Sequence, residues 1–266
     1  MNSESVTAID IDLPSPRWLG KTVLLNLTDD RLRLRAQSLV QLAKSDRERL
    51  LVVYEFVKAM PFCAPQLKGP QTARQVLDAR RGDACDKSTL FVALLRLVHL
   101  HARMRFVRLN GDVLRGYASG VSSVNHPVVE VWLGERWLKT DTHIYDIHYI
   151  ANAREKLNAA NWEMGYGIHR HAHSVWQAKE DAYAAFAPDQ HDGQPLSDLG
   201  VFDDPRRFDR AMRVQGQSHG WWHSPLKAAR WAFTARLVQR GVRRLRAEID
   251  RVPPPSSPAP VRIASN

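Results

Sequence analysis

The sequence predicts an α+β fold, in which helices precede an antiparallel sheet. Residues 88–98 are apolar on nearly every side, as expected of a helix buried in the centre of a domain. Residues 102–109 then alternate apolar and polar side chains with the period of two of a β-strand. This change of period predicts a central helix followed directly by the first strand of a sheet.

The helices before this central helix are predicted from periodicity and capping. Apolar residues recur at helical spacing in residues 30–43, and Ser45 with Glu48 has the pattern of a capping box for a second helix that runs to about Met60. A proline-containing loop and a short helix over residues 73–79 follow. Residues 1–27 are predicted to be an extended lead-in with an edge strand at residues 22–27.

The charge of the chain is unevenly distributed. The 266 residues include 38 Lys and Arg against 28 Asp and Glu, a formal charge of +10. Residues 1–205 carry 25 basic and 25 acidic side chains, whereas residues 206–251 carry 12 basic and three acidic side chains. The length allows one sizeable catalytic core with an appendage. Since that core is neutral overall, its charge does not predict nucleic-acid binding.

Composition also bears on location. No apolar run reaches the roughly 20 residues of a membrane-spanning helix, and the first residues lack the regions of a signal peptide. Cys63 and Cys85 are the only cysteines, too few for a disulfide framework. We therefore expect a cytoplasmic protein in which a thiol stays free for chemistry.

A hairpin is predicted at residues 126–141. Gly134 and Glu135 form a two-residue turn with glycine first, which is typical of a type II′ turn. This turn brings His126 and Asp141 to one face as diagonal neighbours, roughly 7–8 Å apart between backbones. The same register predicts four cross-strand pairs: Leu133 with Arg136, the aromatic pair Trp132 with Trp137, the charge pair Glu130 with Lys139, and Val128 with Asp141.

Three residues of these elements have the chemistry of a thiol active site. Cys85 lies in the first turn of the central helix, where free N–H groups and the helix dipole stabilise a thiolate. A thiol nucleophile also needs a base and a group that orients the base, which His126 and Asp141 supply. The three converge if the helix start docks against the open end of the hairpin, and the Cys85 N–H can then bind an oxyanion.

The motifs in this order resemble the core of the transglutaminase-like superfamily. They are Gly82-Asp-Ala-Cys85 before the apolar helix, Ala102-Arg-Met-Arg-Phe-Val107, His126-Pro-Val-Val-Glu-Val131 and Trp137-Leu-Lys-Thr-Asp141. The resemblance spans about residues 45–145 and implies a papain-like architecture. It also implies Cys85 as nucleophile, His126 as general base and acid, and Asp141 as the orienting residue.

The sequence departs from the family pattern next to the thiol. Asp86 follows the cysteine where Trp or another bulky residue is common, and its charge is expected to raise the pKa of the thiol. No Trp precedes Cys85 to give the second oxyanion donor of eukaryotic relatives. Tyr54, Gln66 and Gln71 are the candidates for that role.

The predicted organisation has four parts: the lead-in 1–27, a transglutaminase-like core 28–150, a helical appendage 151–251, and a Pro-rich tail 252–266 that is expected to be disordered. The appendage ends in a basic amphipathic helix at residues 225–250. We expect this helix to dock on the body of the protein, with binding to a membrane surface or an acidic partner as alternatives.

No cofactor or metal is expected. The sequence His169-Arg-His-Ala-His173 has poor spacing for a zinc site and no accompanying Cys pair. Cys63 lies among prolines with no base nearby in sequence, which favours a structural role.

The expected function is that of a cysteine protease, amidase or acyltransferase acting on a protein or peptide substrate. Hydrolysis is preferred by analogy with bacterial relatives. The alternative is a non-catalytic binding module that holds an acidic peptide, a membrane surface or nucleic acid with the cleft and the basic helix.

Overall fold

The structure is a computed structural model that describes residues 14–64, 69–171, 173–190, 193–214 and 225–249. The predicted tail at residues 252–266 lies outside these ranges, as do residues 1–13 of the lead-in and Gln66. The described part confirms the α+β class.

Helices form the first layer. Three of them surround a central fourth helix: α1 (Asp30–Val40), α2 (Asp46–Lys58), α3 (Ala73–Ala79) and the central α4 (Ala84–Leu97). The Ser45 side chain caps α2 by accepting the Glu48 N–H, as predicted, although the Glu48 carboxylate binds the N–H of Lys44. Every residue of α4 from 86 to 96 is buried, which confirms the central helix.

A four-stranded antiparallel sheet covers one side of α4. Its strands are β1 (Ala102–Asn110), β2 (Ser123–Leu133), β3 (Arg136–Thr140) and β6 (Ser197–Phe202), and a separate two-stranded sheet is formed by β4 (Met164–Gly165) and β5 (Ile168–His169). The main sheet has the order β3-β2-β1-β6. Met104 and Phe106 face the helical core, since they pack in the cluster that contains α4.

The hairpin register is confirmed, and the turn type is not. Trp132 pairs with Trp137 and Glu130 with Lys139. Gly134 and Glu135 have φ of +57° and +66°, so both lie in the left-handed region. Two such residues make a type I′ turn, which leaves the two-residue loop and therefore the register unchanged.

The edge strand predicted at residues 22–27 does not form. These residues make turns in which Leu24 and Leu25 are fully buried, and a short 3₁₀-helix, Pro16–Leu19, precedes them. The edge beside β1 is taken by β6. Local apolar character was therefore a sign of burial under the helices, not of strand pairing.

The part predicted as a helical appendage also contributes to the core. Its helices are α5 (Ile147–Ala160), α6 (Pro205–Val214) and α7 (Pro225–Ile249), and its strand β6 belongs to the main sheet. Phe208 of α6 stacks on Phe106 of β1 with ring centroids 3.9 Å apart. The predicted helical appendage thus also contains a strand, β6, which long-range pairing joins to β1.

The basic helix α7 docks on the body, as expected. Its apolar stripe is buried at Ala235, Val238, Val242 and Leu245, while Arg236, Arg240, Arg243 and Arg244 are exposed. A Cβ on Gly241 would lie 2.2 Å from a ring carbon of Tyr117, so glycine permits the close approach. Among the described residues, no helix combines the length and apolar character needed to cross a membrane.

Candidate functional site

Cys85 is the second residue of α4 and is half-buried at the edge of the helical core. Asp83 caps the helix, and its carboxylate accepts the N–H of Asp86 at 2.9 Å and that of Cys85. The bridge between Phe62 and Gly82 fixes the loop that enters the helix. The local sequence thus places a thiol at a capped helix start.

His126 and Asp141 are brought together as the hairpin predicts. Nε2 of His126 lies 2.8 Å from Oδ2 of Asp141. Because a carboxylate can only accept, Nε2 carries the proton, which leaves Nδ1 as the nitrogen free to act as a base. Both side chains are buried, so the hydrogen bond is shielded from water.

The Asp141 carboxylate has two further donors that sequence reasoning missed. The backbone N–H groups of Ala184 and Ala185 donate to its two oxygens, the latter at 3.0 Å. Phe186 follows in the same segment, with its ring edge-on to His126 at 6.5 Å. No side-chain signal in the sequence marks these residues, because they contribute backbone groups and one common aromatic ring.

The segment after Asp141 is tied to α4 and α2. His143 Nε2 lies 2.9 Å from Oγ of Ser88, one turn beyond Cys85. Lys58 donates from Nζ to the carbonyls of Thr142 and Tyr145 at 2.7 and 3.0 Å. These contacts hold the aspartate-bearing loop against the first turn of the thiol-bearing helix.

Two of the three predicted residues therefore share a hydrogen bond, and the third is linked to them through its helix. Within the described ranges, the structure records no hydrogen bond between the Cys85 thiol and the His126 ring. Cys85 and the His126–Asp141 pair remain connected through Ser88 and His143.

The surroundings of Cys85 favour the neutral thiol. Burial, followed by the charges of Asp83, Asp86 and Asp209, raises the pKa of Cys85 well above its usual value. Asp86 thus acts in the expected direction, although its own carboxylate accepts hydrogen bonds from the backbone and side chain of Gln71. Thiolate formation at neutral pH therefore requires a base.

The candidates for a second oxyanion donor are engaged elsewhere. The side-chain amide of Gln71 donates to Asp86 at 2.7 Å. The hydroxyl of Tyr54 is buried against Thr142 at 3.0 Å and also accepts the N–H of Trp176. These contacts favour structural roles for both residues.

Asp83→Asn is expected to increase the reactivity of Cys85 towards iodoacetamide. Asparagine caps a helix as well as aspartate does, so the helix start is retained while one negative charge is lost. Burial and the charge of Asp86 raise the pKa of Asp83 to about 7. The increase in Cys85 reactivity over wild type should therefore be small at pH 6, where Asp83 is largely protonated, and larger above pH 7, where Asp83 is charged in the wild-type protein.

The measurement is the ratio of variant to wild-type alkylation rates from pH 6 to 9. Each unit by which the pKa of the thiol falls raises the thiolate fraction about tenfold while the thiol is largely protonated, and the rate gains less because a less basic thiolate is a weaker nucleophile. Asp112→Asn, at an exposed position, is the matched control. A ratio that stays at one across this range would mean that the Asp83 charge does not act on Cys85.

The other groups singled out in the sequence have structural contacts. The carboxylate of Glu130 binds Arg103 and Arg105 of β1, which corrects the predicted charge pair with Lys139. Burial raises the pKa of Cys63 to about 11. Among the described residues, no cluster of three or more His, Cys, Asp or Glu side chains could hold a metal ion.

Comparison with known proteins gives a family for part of the chain. Residues 33–142 match the model of the transglutaminase-like superfamily, which confirms the resemblance over this segment. No curated protein matches the chain in sequence.

Two solved structures are similar over a part of their length. A "putative cysteine protease" from Cytophaga hutchinsonii is 17% identical with a TM-score of 0.39, over 50% of this chain and 44% of that one. A "putative protease" from Parabacteroides distasonis is 10% identical with a TM-score of 0.34, over 42% and 24%. The chain thus spans less than half the length of either protein.

Proposed function

We propose that this chain, whose residues 33–142 are a domain of the transglutaminase-like superfamily, is a thiol enzyme that cleaves a peptide or carboxamide bond. The observation that carries the proposal is the buried hydrogen bond between His126 and Asp141, whose carboxylate is fixed by two further N–H donors. Such an arrangement orients an imidazole for proton transfer.

The reaction begins at the thiol. His126 Nδ1 takes the proton of Cys85 as Sγ attacks the carbonyl carbon of the substrate, and Asp141 stabilises the imidazolium that forms. His126 then gives this proton to the leaving nitrogen, the C–N bond breaks, and a thioester remains on Cys85.

The thioester is resolved by a second nucleophile. Water loses a proton to His126 and attacks the thioester carbonyl, which releases a carboxylic acid and restores the thiol. An amine in place of water gives transfer to a new amide. We propose hydrolysis as the main outcome and a protein or peptide as the substrate.

The pKa of the thiol gives His126 a defined task. Because burial and the charges of nearby carboxylates raise the pKa of Cys85, His126 accepts the proton of the thiol when Sγ attacks, whether the target is a substrate carbonyl or iodoacetamide. General-base catalysis by a positioned imidazole typically contributes about 10²- to 10⁴-fold.

The test compares the two cysteines. Cys85→Ala should abolish the selective labelling by iodoacetamide near neutral pH, whereas Cys63→Ala should leave it intact. Labelling of Cys63 alone, or of Cys85 no faster than a free thiol, would contradict the proposal and favour a binding module.

Turnover is measured with a peptide mixture and a dansylated primary amine. New peptide termini, detected by mass spectrometry, report hydrolysis, and dansylated peptides report transfer. Both products should be lost in Cys85→Ala and retained in Cys63→Ala. If dansylated peptides are the main product, transfer to an amine and not hydrolysis is the main reaction.

A further inference from the structure

Arg246 of α7 contacts both loops that lead to the proposed site. Its Nη1 donates to Oδ1 of Asp146 at 2.7 Å, and its Nη2 binds the second oxygen of the same carboxylate. Nη2 also lies 3.3 Å from the backbone carbonyl of Phe62. One half-buried guanidinium thus joins two segments that are 84 residues apart in the chain.

The Phe62 side of this contact leads to the thiol. Phe62 pairs with Gly82 in a β-bridge, and the adjacent Cys63 N–H donates to the Gly82 carbonyl at 3.0 Å. Gly82 immediately precedes Asp83, the cap of the helix that bears Cys85. The position of the thiol-bearing helix start is therefore connected to Arg246 through backbone contacts.

The Asp146 side leads to the aspartate. Asp146 caps α5 by accepting the N–H of Tyr149, and it also accepts the N–H of Phe62 at 3.2 Å. Asp141 lies five residues before it, in a loop closed by the Ile144 N–H on the Asp141 carbonyl. The carboxylate of Asp146 is thus shared by the two loops and by Arg246.

Charge makes this contact strong. Burial alone would raise the pKa of Asp146. The hydrogen bonds and the charge of Arg246 instead hold this pKa below its usual value. Bidentate Arg–carboxylate pairs are among the strongest charged hydrogen bonds and fix geometry as well as distance. The Arg246 guanidinium also lies over the ring of Tyr149, 5.1 Å from its centroid.

We infer that Arg246 is a positioning residue, through which the C-terminal helix α7 sets the placement of Cys85 relative to His126 and Asp141. The inference rests on the proposed function. It gives one arginine of the basic segment a role in the site, distinct from that of the exposed arginines on the opposite face of α7.

Arg246→Ala is expected to slow alkylation of Cys85 and peptide turnover about ten- to a hundred-fold, because small misplacements of reacting groups have effects of this size. Substrate affinity, read as KM, should change little. Arg243→Ala is the matched control, since it removes the same charge from an exposed position of the same helix.

Chemical rescue separates positioning from loss of the fold. Methylguanidinium at millimolar concentration should restore a part of the rate in Arg246→Ala and have no effect on Arg243→Ala. If Arg246→Ala does not fold, Arg246→Lys provides the measurement, and it should show a reduced kcat because an ammonium cannot bind Asp146 in a bidentate manner.

Arg246→Ala or Arg246→Lys with wild-type rates would overturn the inference, as would a loss that methylguanidinium does not restore in a folded Arg246→Ala variant. The proposed function would stand in either case if Cys85→Ala abolishes labelling. Failure of the function appears instead as wild-type protein whose Cys85 is no more reactive than a free thiol.

Discussion

Asp141→Asn lowers peptide turnover about 10³- to 10⁴-fold, which is the largest effect we expect from a single substitution that keeps the volume of the side chain. Loss of an aspartate that orients a catalytic histidine has an effect of this order, because the imidazole adopts the wrong tautomer and its cation loses its counter-charge. Here the Nε2–H of His126 would face an amide instead of a carboxylate.

The substitution also has a structural cost. Asp141 accepts three N–H groups, from His126, Ala184 and Ala185, whereas the asparagine amide offers a single acceptor oxygen. A buried donor left without an acceptor costs about 1–3 kcal/mol. Turnover should therefore be compared at a temperature where circular dichroism shows that the variant is folded.

Asp181→Asn is the matched control. Its carboxylate likewise accepts a backbone N–H, that of Lys139 at 2.9 Å, and a hydroxyl, that of Tyr183 at 3.0 Å. We expect turnover within a few-fold of wild type. Equal rates for Asp141→Asn and Asp181→Asn would exclude Asp141 from the reaction.

Glu130→Gln is expected to lower the free energy of unfolding by about 3–5 kcal/mol, the usual cost of breaking a buried ion pair. Glu130 is fully buried between Arg103 and Arg105. The Arg103 side chain is itself only 4% exposed, and its guanidinium carbon lies 3.9 Å from the centroid of the Trp137 ring. Without the carboxylate, both arginines would lose their ion pair with Glu130, and that of Arg103 is buried.

Urea denaturation of Glu130→Gln and of Lys139→Met distinguishes two pairings of Glu130. The hairpin alone predicts a pair with Lys139, whereas the structure places the carboxylate on the arginines of β1. We expect Lys139→Met to cost less than about 1 kcal/mol. If the two substitutions lower the free energy of unfolding equally, the ion pair of Glu130 is with Lys139, as the hairpin predicts.

The sequence predicts best where the determining contacts are short in range. The apolar pattern of α4 and the alternation of β1 are both properties of neighbouring residues, and both are found in the structure. The turn at Gly134 and Glu135 fixes the register that joins His126 to Asp141. It does so even though its type differs from the prediction, because loop length sets the register.

The errors arise where an apolar segment has several places to be buried. Residues 22–27 were predicted as an edge strand, but the edge is filled by β6, about 90 residues along the chain from β1. A charged residue can be mispaired for a related reason. Glu130 has basic neighbours on both β1 and β3, and the register of one hairpin does not show which of them its carboxylate binds. Periodicity specifies that a face is buried, not what covers it.

The sequence by itself determined the central helix, the hairpin and the three residues proposed for chemistry, since each follows from local spacing and turn length. Only the tertiary structure decided what surrounds them: the N–H groups of Ala184 and Ala185 on Asp141, and Arg246 on Asp146. These groups lie 43 to 100 residues from their partners. Contacts at such separations depend on how whole layers pack, and no local pattern encodes that packing.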